Sequence, residues 1–140
     1  MPEGVFLGFD FGFKHIGVAV GQQLTQTATP LDTLSASDGV PNWTQIDVLV
    51  KQWKPRALII GYPTQADGSK LYVSKPATQF ADALKKRFNL PIHLVDERLT
   101  TKEARAQLFE MGGYRKLKKQ NVDGIAAKLI LEQWLKLQAG

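Results

Sequence analysis

Three places in the chain set a carboxylate where its neighbours predict apolar structure, and a carboxylate so placed either does chemistry or costs stability. Asp10 closes the run Val5-Phe6-Leu7-Gly8-Phe9, which reads as a central strand. An ionised side chain there is expensive unless a cation or hydrogen-bond donors meet it. A strand-terminal Asp that caps the turn begun at Gly12 is the plainer alternative. Asp96 and Glu97 end a second apolar run, Ile92 to Val95. Alternation sends these two to opposite faces, so only one of them can enter a given site. Asp123 stands near the start of a long helical pattern. At about 100° per residue, Lys128, Glu132 and Lys136 share a polar face with Asn121, whereas Asp123 lines up with Ala127, Ile130 and Trp134 in the apolar stripe. An early helical Asp also suits the helix dipole. That accounts for its place along the helix but not for its face, so Asp123 reads as functional.

Carboxylates that converge in one cleft repel each other unless divalent cations lie between them. The chain has no cysteine and only two histidines, His15 and His93, which excludes thiolate chemistry, sulfur-based zinc sites and a His-rich metal centre. Oxygen-only ligation suits Mg²⁺ or Mn²⁺. Two such ions about 3.5–4 Å apart can activate water and stabilise the leaving oxygen of a phosphodiester.

The elements that must position these groups follow from pattern. Val5–Phe9 and Ile16–Val20 flank a turn at Gly12 to His15 and predict a β-hairpin, and a third strand is expected over about Thr29 to Leu34, with Pro30 arguing for an edge. Trp43, Ile46, Leu49, Val50 and Trp53 recur at helical spacing, and Pro55 ends that helix at or before Lys54. Ala57 to Ile60 reads as a strand buried on both faces. Tyr62 to Lys75 is a long polar loop. A second helix begins with Pro76 in its first turn and buries Phe80, Ala81, Leu84 and Phe88. After the Ile92–Val95 strand, Thr100 with Glu103 fits a capping box for a helix that stops at Gly112-Gly113, and Val122 to Leu137 makes the last helix. The expectation is an α/β fold with a five-stranded mixed sheet, three antiparallel strands then two parallel ones, and helices on its faces. The crossovers imply parallel pairing with the first strand for the later two. The carboxylates at strand ends would then share the cleft beyond the carboxyl edge of the sheet.

With 140 residues, 44% hydrophobic and 22% charged, the chain fits one domain over 1–140. Nothing at its start reads as an export leader, and no apolar run approaches the roughly 18 residues that span a bilayer, so a cytoplasmic location and no membrane partner are expected. The net charge of +5 is local. Arg98, Lys102, Arg105, Arg115, Lys116, Lys118 and Lys119 outweigh Glu103 and Glu110, while the rest of the chain is balanced. Such a stretch draws in polyanions, although a solvated, lysine-rich loop has the same composition.

Gly8-Phe9-Asp10-Phe11-Gly12-Phe13-Lys14-His15-Ile16-Gly17-Val18-Ala19 resembles the opening motif of the YqgF/RuvX family, the RNase H-like Holliday junction resolvases and pre-16S rRNA nucleases of bacteria. Three more segments match the family in order: Ile60-Gly61-Tyr62-Pro63 with Asp67-Gly68-Ser69, then Val95 to Thr101, then Val122-Asp123 with Ala126-Ala127. The resemblance covers essentially the whole chain. It implies an RNase H-like fold and a metal-dependent endonuclease that matures the 5′ end of 16S rRNA, with resolution of branched DNA as the alternative. It also implies that Asp10, Glu97 and Asp123 are the catalytic, metal-binding carboxylates, and that Arg98, Thr100 and Thr101 are accompanying polar positions. Lys14 and the basic residues Arg115, Lys116, Lys118 and Lys119 are the expected substrate contacts, and a homodimer is a further expectation. The chain departs from the family where a small hydroxyl residue and Arg are usual, since Phe13 and His15 stand there.

Two other readings compete. An Asp-x-Gly before a hairpin also opens the sugar kinase and actin-like ATPases, but those need two such domains and a second phosphate loop. A nucleic-acid-binding factor without catalysis would use the basic stretch alone, and the presence of all three carboxylates argues against it.

Overall fold

The computed structural model describes residues 4–12, 14–62, 74–96 and 119–139, with backbone alone at 62, 74–76, 96, 119–123 and 139. The alternating runs at the start form strands β1 (Val5–Asp10) and β2 (His15–Gln22), an antiparallel pair that sets Gly8 opposite Ala19 and Asp10 opposite Gly17. Their turn is tight. A Cβ at Gly12 would collide with the His15 carbonyl oxygen, so no side chain fits there.

Strand β3 (Thr27–Ser37) runs antiparallel to β2, with a bulge where Ile16 pairs with Leu34 but Val18 with Leu31. Pro30 has no N–H to give, so its nitrogen belongs on the side facing away from β2. Ala28, two residues earlier, is in the same phase, and its N–H donates instead to Glu132 Oε2 at 3.0 Å. Strand β3 extends beyond the expected Thr29–Leu34 because the bulge absorbs the irregularity. It then returns through Asp38 and Gly39, at φ 50° and 84°, into a two-residue strand β4 (Val40–Pro41). An Asp-Gly pair at positive φ is the preferred tight hairpin turn. Among the described residues the sheet therefore has six strands rather than five, in the order β4-β3-β2-β1-β5-β6.

Helix α1 (Trp43–Trp53) starts at Asn42, whose side chain accepts from the Thr44 N–H, and ends at Lys54 in the left-handed region, just before Pro55. Strand β5 (Ala57–Tyr62) pairs parallel with β1. Helix α2 (Ser74–Phe88) leads to β6 (Ile92–Asp96), which is parallel to β1 but pairs with β5, because β1 already has β2 and β5 on its two sides. Helix α3 (Lys119–Ala139) begins before the expected Val122, so Lys119 is helical. Of the loop expected from Tyr62 to Lys75, Tyr62 instead ends β5 and Ser74 and Lys75 begin α2, while 63–73 and the helix expected from Thr100 lie outside the described residues.

The sheet separates two cores. On one face Leu7, Phe9, Ile16, Val18, Leu58 and Ile60 pack with Ile46 of α1 and Phe80 and Leu84 of α2. On the other, Ala19, Ala28, Ala57 and Ile59 meet Ala127, Ile130, Leu131 and Leu135 of α3. The first face is built of large side chains, the second mostly of small ones. Helices α1 and α2 are also joined at the surface, where Arg87 donates through Nε and Nη2 to both Asp47 oxygens at 2.8 and 2.7 Å. The guanidinium lies 5.3 Å from the Trp43 ring centroid.

The hydrogen bonds from Arg87 hold the Asp47 carboxyl below its ordinary value, against the opposing effect of desolvation. Because the folded value is lowered, the pair's contribution is present above the unfolded carboxylate pKa of about 3.9 and disappears as pH falls through the folded value. It is small, since both groups are exposed. An NMR titration of the Asp47 carboxyl should show it moving back up in Arg87→Ala; an unchanged midpoint would contradict the pairing.

Candidate active site

The register lines up one row of residues across the carboxyl end of the sheet. Asp10 pairs with Gly17 on β2 and with Gly61 on β5, and Gly61 pairs in turn with Val95 on β6. Asp10 shares its phase on β1 with Phe6 and Gly8, which face α3, whereas Leu7 and Phe9 face α1 and α2. The half-buried carboxylate thus stands on the α3 side of the sheet with a glycine on each neighbouring strand. A glycine inside a strand leaves room for something to approach the backbone closely. Here two of them leave room on both sides of a carboxylate.

Helix α3 can lie close on the sheet because the strands beneath it carry almost nothing. A Cβ on Gly8 would fall 2.9 Å from Leu131 Cβ and 3.3 Å from the Ala127 carbonyl oxygen, and one on Gly21 would fall 2.9 Å from Leu131 Cδ2 and 3.1 Å from Leu135 Cδ1. Leu135 is near the start of β1 and Ala127 nearer its end, so α3 runs antiparallel to β1. Asp123 is one turn before Ala127, about 6 Å along the helix, and Asp10 is two residues beyond Gly8, about 6.6 Å along the strand. The start of α3 therefore points towards the carboxyl end of the sheet, with its first turns over β3, where a Cβ on Gly124 would fall 3.1 Å from Pro30 Cβ. The stripe expected to contain Asp123 is the packed one, with Ala127 and Ile130 fully buried.

Of the expected site residues, Asp10 is described with its side chain, and Lys14 is exposed in the turn beside it. Asp123 and Lys119 are described by backbone, both in α3. Glu97, Arg98, Thr100, Thr101, Arg115, Lys116 and Lys118 lie outside the described residues. Among those that are described, no three His, Cys, Asp or Glu side chains form a cluster that could hold a metal. An oxygen donor between two glycines, in a chain without cysteine, fits a hard divalent cation.

Sequence reasoning gave Gly17 and Gly61 no role of their own and placed Glu132 on a polar face. The signal for the first was present: Gly17, Ala19 and Gly21 alternate along β2 as a stripe of small residues on one face. Glu132 carries no such mark, because its partner is a backbone N–H a hundred residues away in sequence.

The profile of a family described as "RuvX: Holliday junction resolvase" matches residues 4–137. A Legionella pneumophila protein named "Putative pre-16S rRNA nuclease" is 60% identical over 135 residues, 96% of this chain and 97% of that one. One of the same name from Aeromonas hydrophila is 51% identical over the full length of both chains. In three dimensions the chain resembles Thermus thermophilus RuvC solved with a Holliday junction substrate, at TM-score 0.56 and 15% identity, over 98% of this chain and 96% of that one. The fowlpox virus resolvase, solved with Holliday junction DNA, gives TM-score 0.56 at 13% identity, over 97% and 99%. These likenesses establish the RNase H-like fold.

The close seat of α3 is testable on its own. Gly8→Ala should force the helix away from the sheet and lower unfolding stability by about 1–3 kcal/mol, as overpacking does. Denaturant melts that superimpose on those of the unaltered protein would show that α3 is not held so tightly.

Proposed function

The chain belongs to the RuvX family, and on that footing we propose that it is a divalent-metal-dependent endonuclease that hydrolyses nucleic-acid phosphodiester bonds and matures the 5′ end of pre-16S rRNA. The observation that carries the reading is the half-buried Asp10 between Gly17 and Gly61, at the carboxyl end of β1. Identities of 51–60% to relatives named for pre-16S rRNA support the substrate.

Asp10, Glu97 and Asp123 would hold Mg²⁺ or Mn²⁺. The phase of β6 favours Glu97 over Asp96. Val95 packs on the α3 side with Phe6 and Trp134 and Ile92 in the opposite core, so alternation continued one residue past β6 would put Glu97 in step with Val95 and Asp96 with Ile92. Bound ions would supply an activated water and charge neutralisation at the leaving oxygen. The protein's own part is to fix its carboxylates from three separate elements, so that little reorganisation is needed when the phosphate arrives. Lys14, Arg98, Thr100, Thr101, Arg115, Lys116, Lys118 and Lys119 would grip the nucleic-acid backbone around the cut, with Lys119 on the same helix as Asp123.

The family description favours branched DNA as a second substrate. We further propose that the chain works as one domain, in the cytoplasm, and as a homodimer. None of its described helices is long and apolar enough to cross a membrane.

Cleavage assays with metal should find Asp10→Asn inactive but folded. Glu97→Gln should lower turnover by orders of magnitude with little change in Tm, and Asp96→Asn should chiefly cost stability. Full activity in Asp10→Asn would overturn the mechanism. The reverse pattern at Asp96 and Glu97 would overturn only the ligand assignment on β6.

A further inference from the structure

We propose that His15 contacts the substrate directly, its imidazole donating a hydrogen bond to a phosphate oxygen of the nucleic acid held at Asp10. This rests on the nuclease reading above. His15 is two residues before Gly17 on β2, and Gly17 is the partner of Asp10, so His15 is on the same face of the sheet and diagonal to the carboxylate. Diagonal positions on adjacent strands are about 7–8 Å apart, within reach of a long side chain. That gap suits an intervening phosphate. Gly17, between His15 and Ala19 on that face, brings no side chain into it.

The backbone beneath His15 is fixed from three directions. Its carbonyl abuts Gly12, its Cα is in register with Ser35 on β3, and the Ala36 N–H donates to the preceding Lys14 carbonyl at 2.9 Å. A side chain launched from so constrained a position is already oriented, which limits the entropy lost on binding. The imidazole is half-buried, and among the described residues it has no hydrogen-bond or ion-pair partner. An imidazole keeps at least one N–H donor whether neutral or charged, so the contact does not depend on its protonation. A strand-end histidine without a role would share the exposure but gains nothing from its phase with Asp10.

The test is steady-state cleavage of one structured RNA, with Mn²⁺, by the unaltered protein and by His15→Ala, His15→Gln and His15→Arg. Loss of one hydrogen bond to a charged oxygen predicts a KM about tenfold higher in His15→Ala, with kcat within about threefold. Mn²⁺ affinity and Tm should not move, and the Gln and Arg variants, which keep a donor, should recover most of the loss. The same tenfold should separate RNA binding by Asp10→Asn protein with and without His15→Ala. If the unaltered protein cleaves and His15→Ala matches its KM within twofold, the proposal is wrong. It is equally wrong if His15→Ala loses Mn²⁺ affinity, which would put the imidazole in the metal site. Absence of cleavage by the unaltered protein would instead overturn the nuclease reading, and this contact with it.

Discussion

The close contact between helix α3 and the small-residue face of the sheet is the constraint on which the rest depends. Leu131 lies against both Gly8 and Gly21, so closely that one methyl group on either glycine would displace it. Dispersion falls steeply with separation, and a helix lowered onto a nearly bare sheet gains many contacts at once. The other face solves the same problem differently, with Phe9, Phe80 and Ile60 filling a deeper space beneath α1 and α2. The asymmetry has a functional consequence. A helix that rides this close to the sheet can direct its first turns towards the end at which β1 stops.

Two further features keep α3 in place. Glu132 accepts the outward N–H of Ala28, satisfying a backbone donor that β2 cannot reach and guarding part of an edge strand. Gly124 lets the first turns pass over β3, where a Cβ would come within 3.1 Å of Pro30 Cβ. Pro30 and Glu132 thus act as a pair: one removes a donor from the open edge, the other neutralises the next. With the helix seated, Asp10 is on one packed element and the backbone of Asp123 on another, so packing sets how the two elements lie.

Much of this was legible in the sequence. The place of Asp10 at the end of a buried strand followed from its apolar run, and the packed stripe of α3 from Ala127 and Ile130, both fully buried, with Trp134 half-buried beside them. Pro30 signalled an edge and Pro55 a helix stop, because each acts through its own backbone. What could not be read was relational. The hydrogen bond of Glu132 depends on a strand a hundred residues away. The significance of Gly17 and Gly61 appears only once the register sets them on either side of Asp10. Strand β4 is a two-residue pairing, below what alternation can reveal, although its Asp38-Gly39 turn was written plainly. The partner of β6 followed from which strand had a side to spare, a property of the whole sheet.

The central claim is that Asp10, Glu97 and Asp123 converge on one divalent-cation site on the α3 side of the sheet. Anomalous diffraction from crystals grown with Mn²⁺ tests it directly, because it locates the ion without reference to activity. The account predicts Mn²⁺ in direct contact with carboxylate oxygens of Asp10 and its two partners, in the space flanked by Gly17 and Gly61. Manganese absent from Asp10 at millimolar concentration, or bound only elsewhere on the chain, would contradict it.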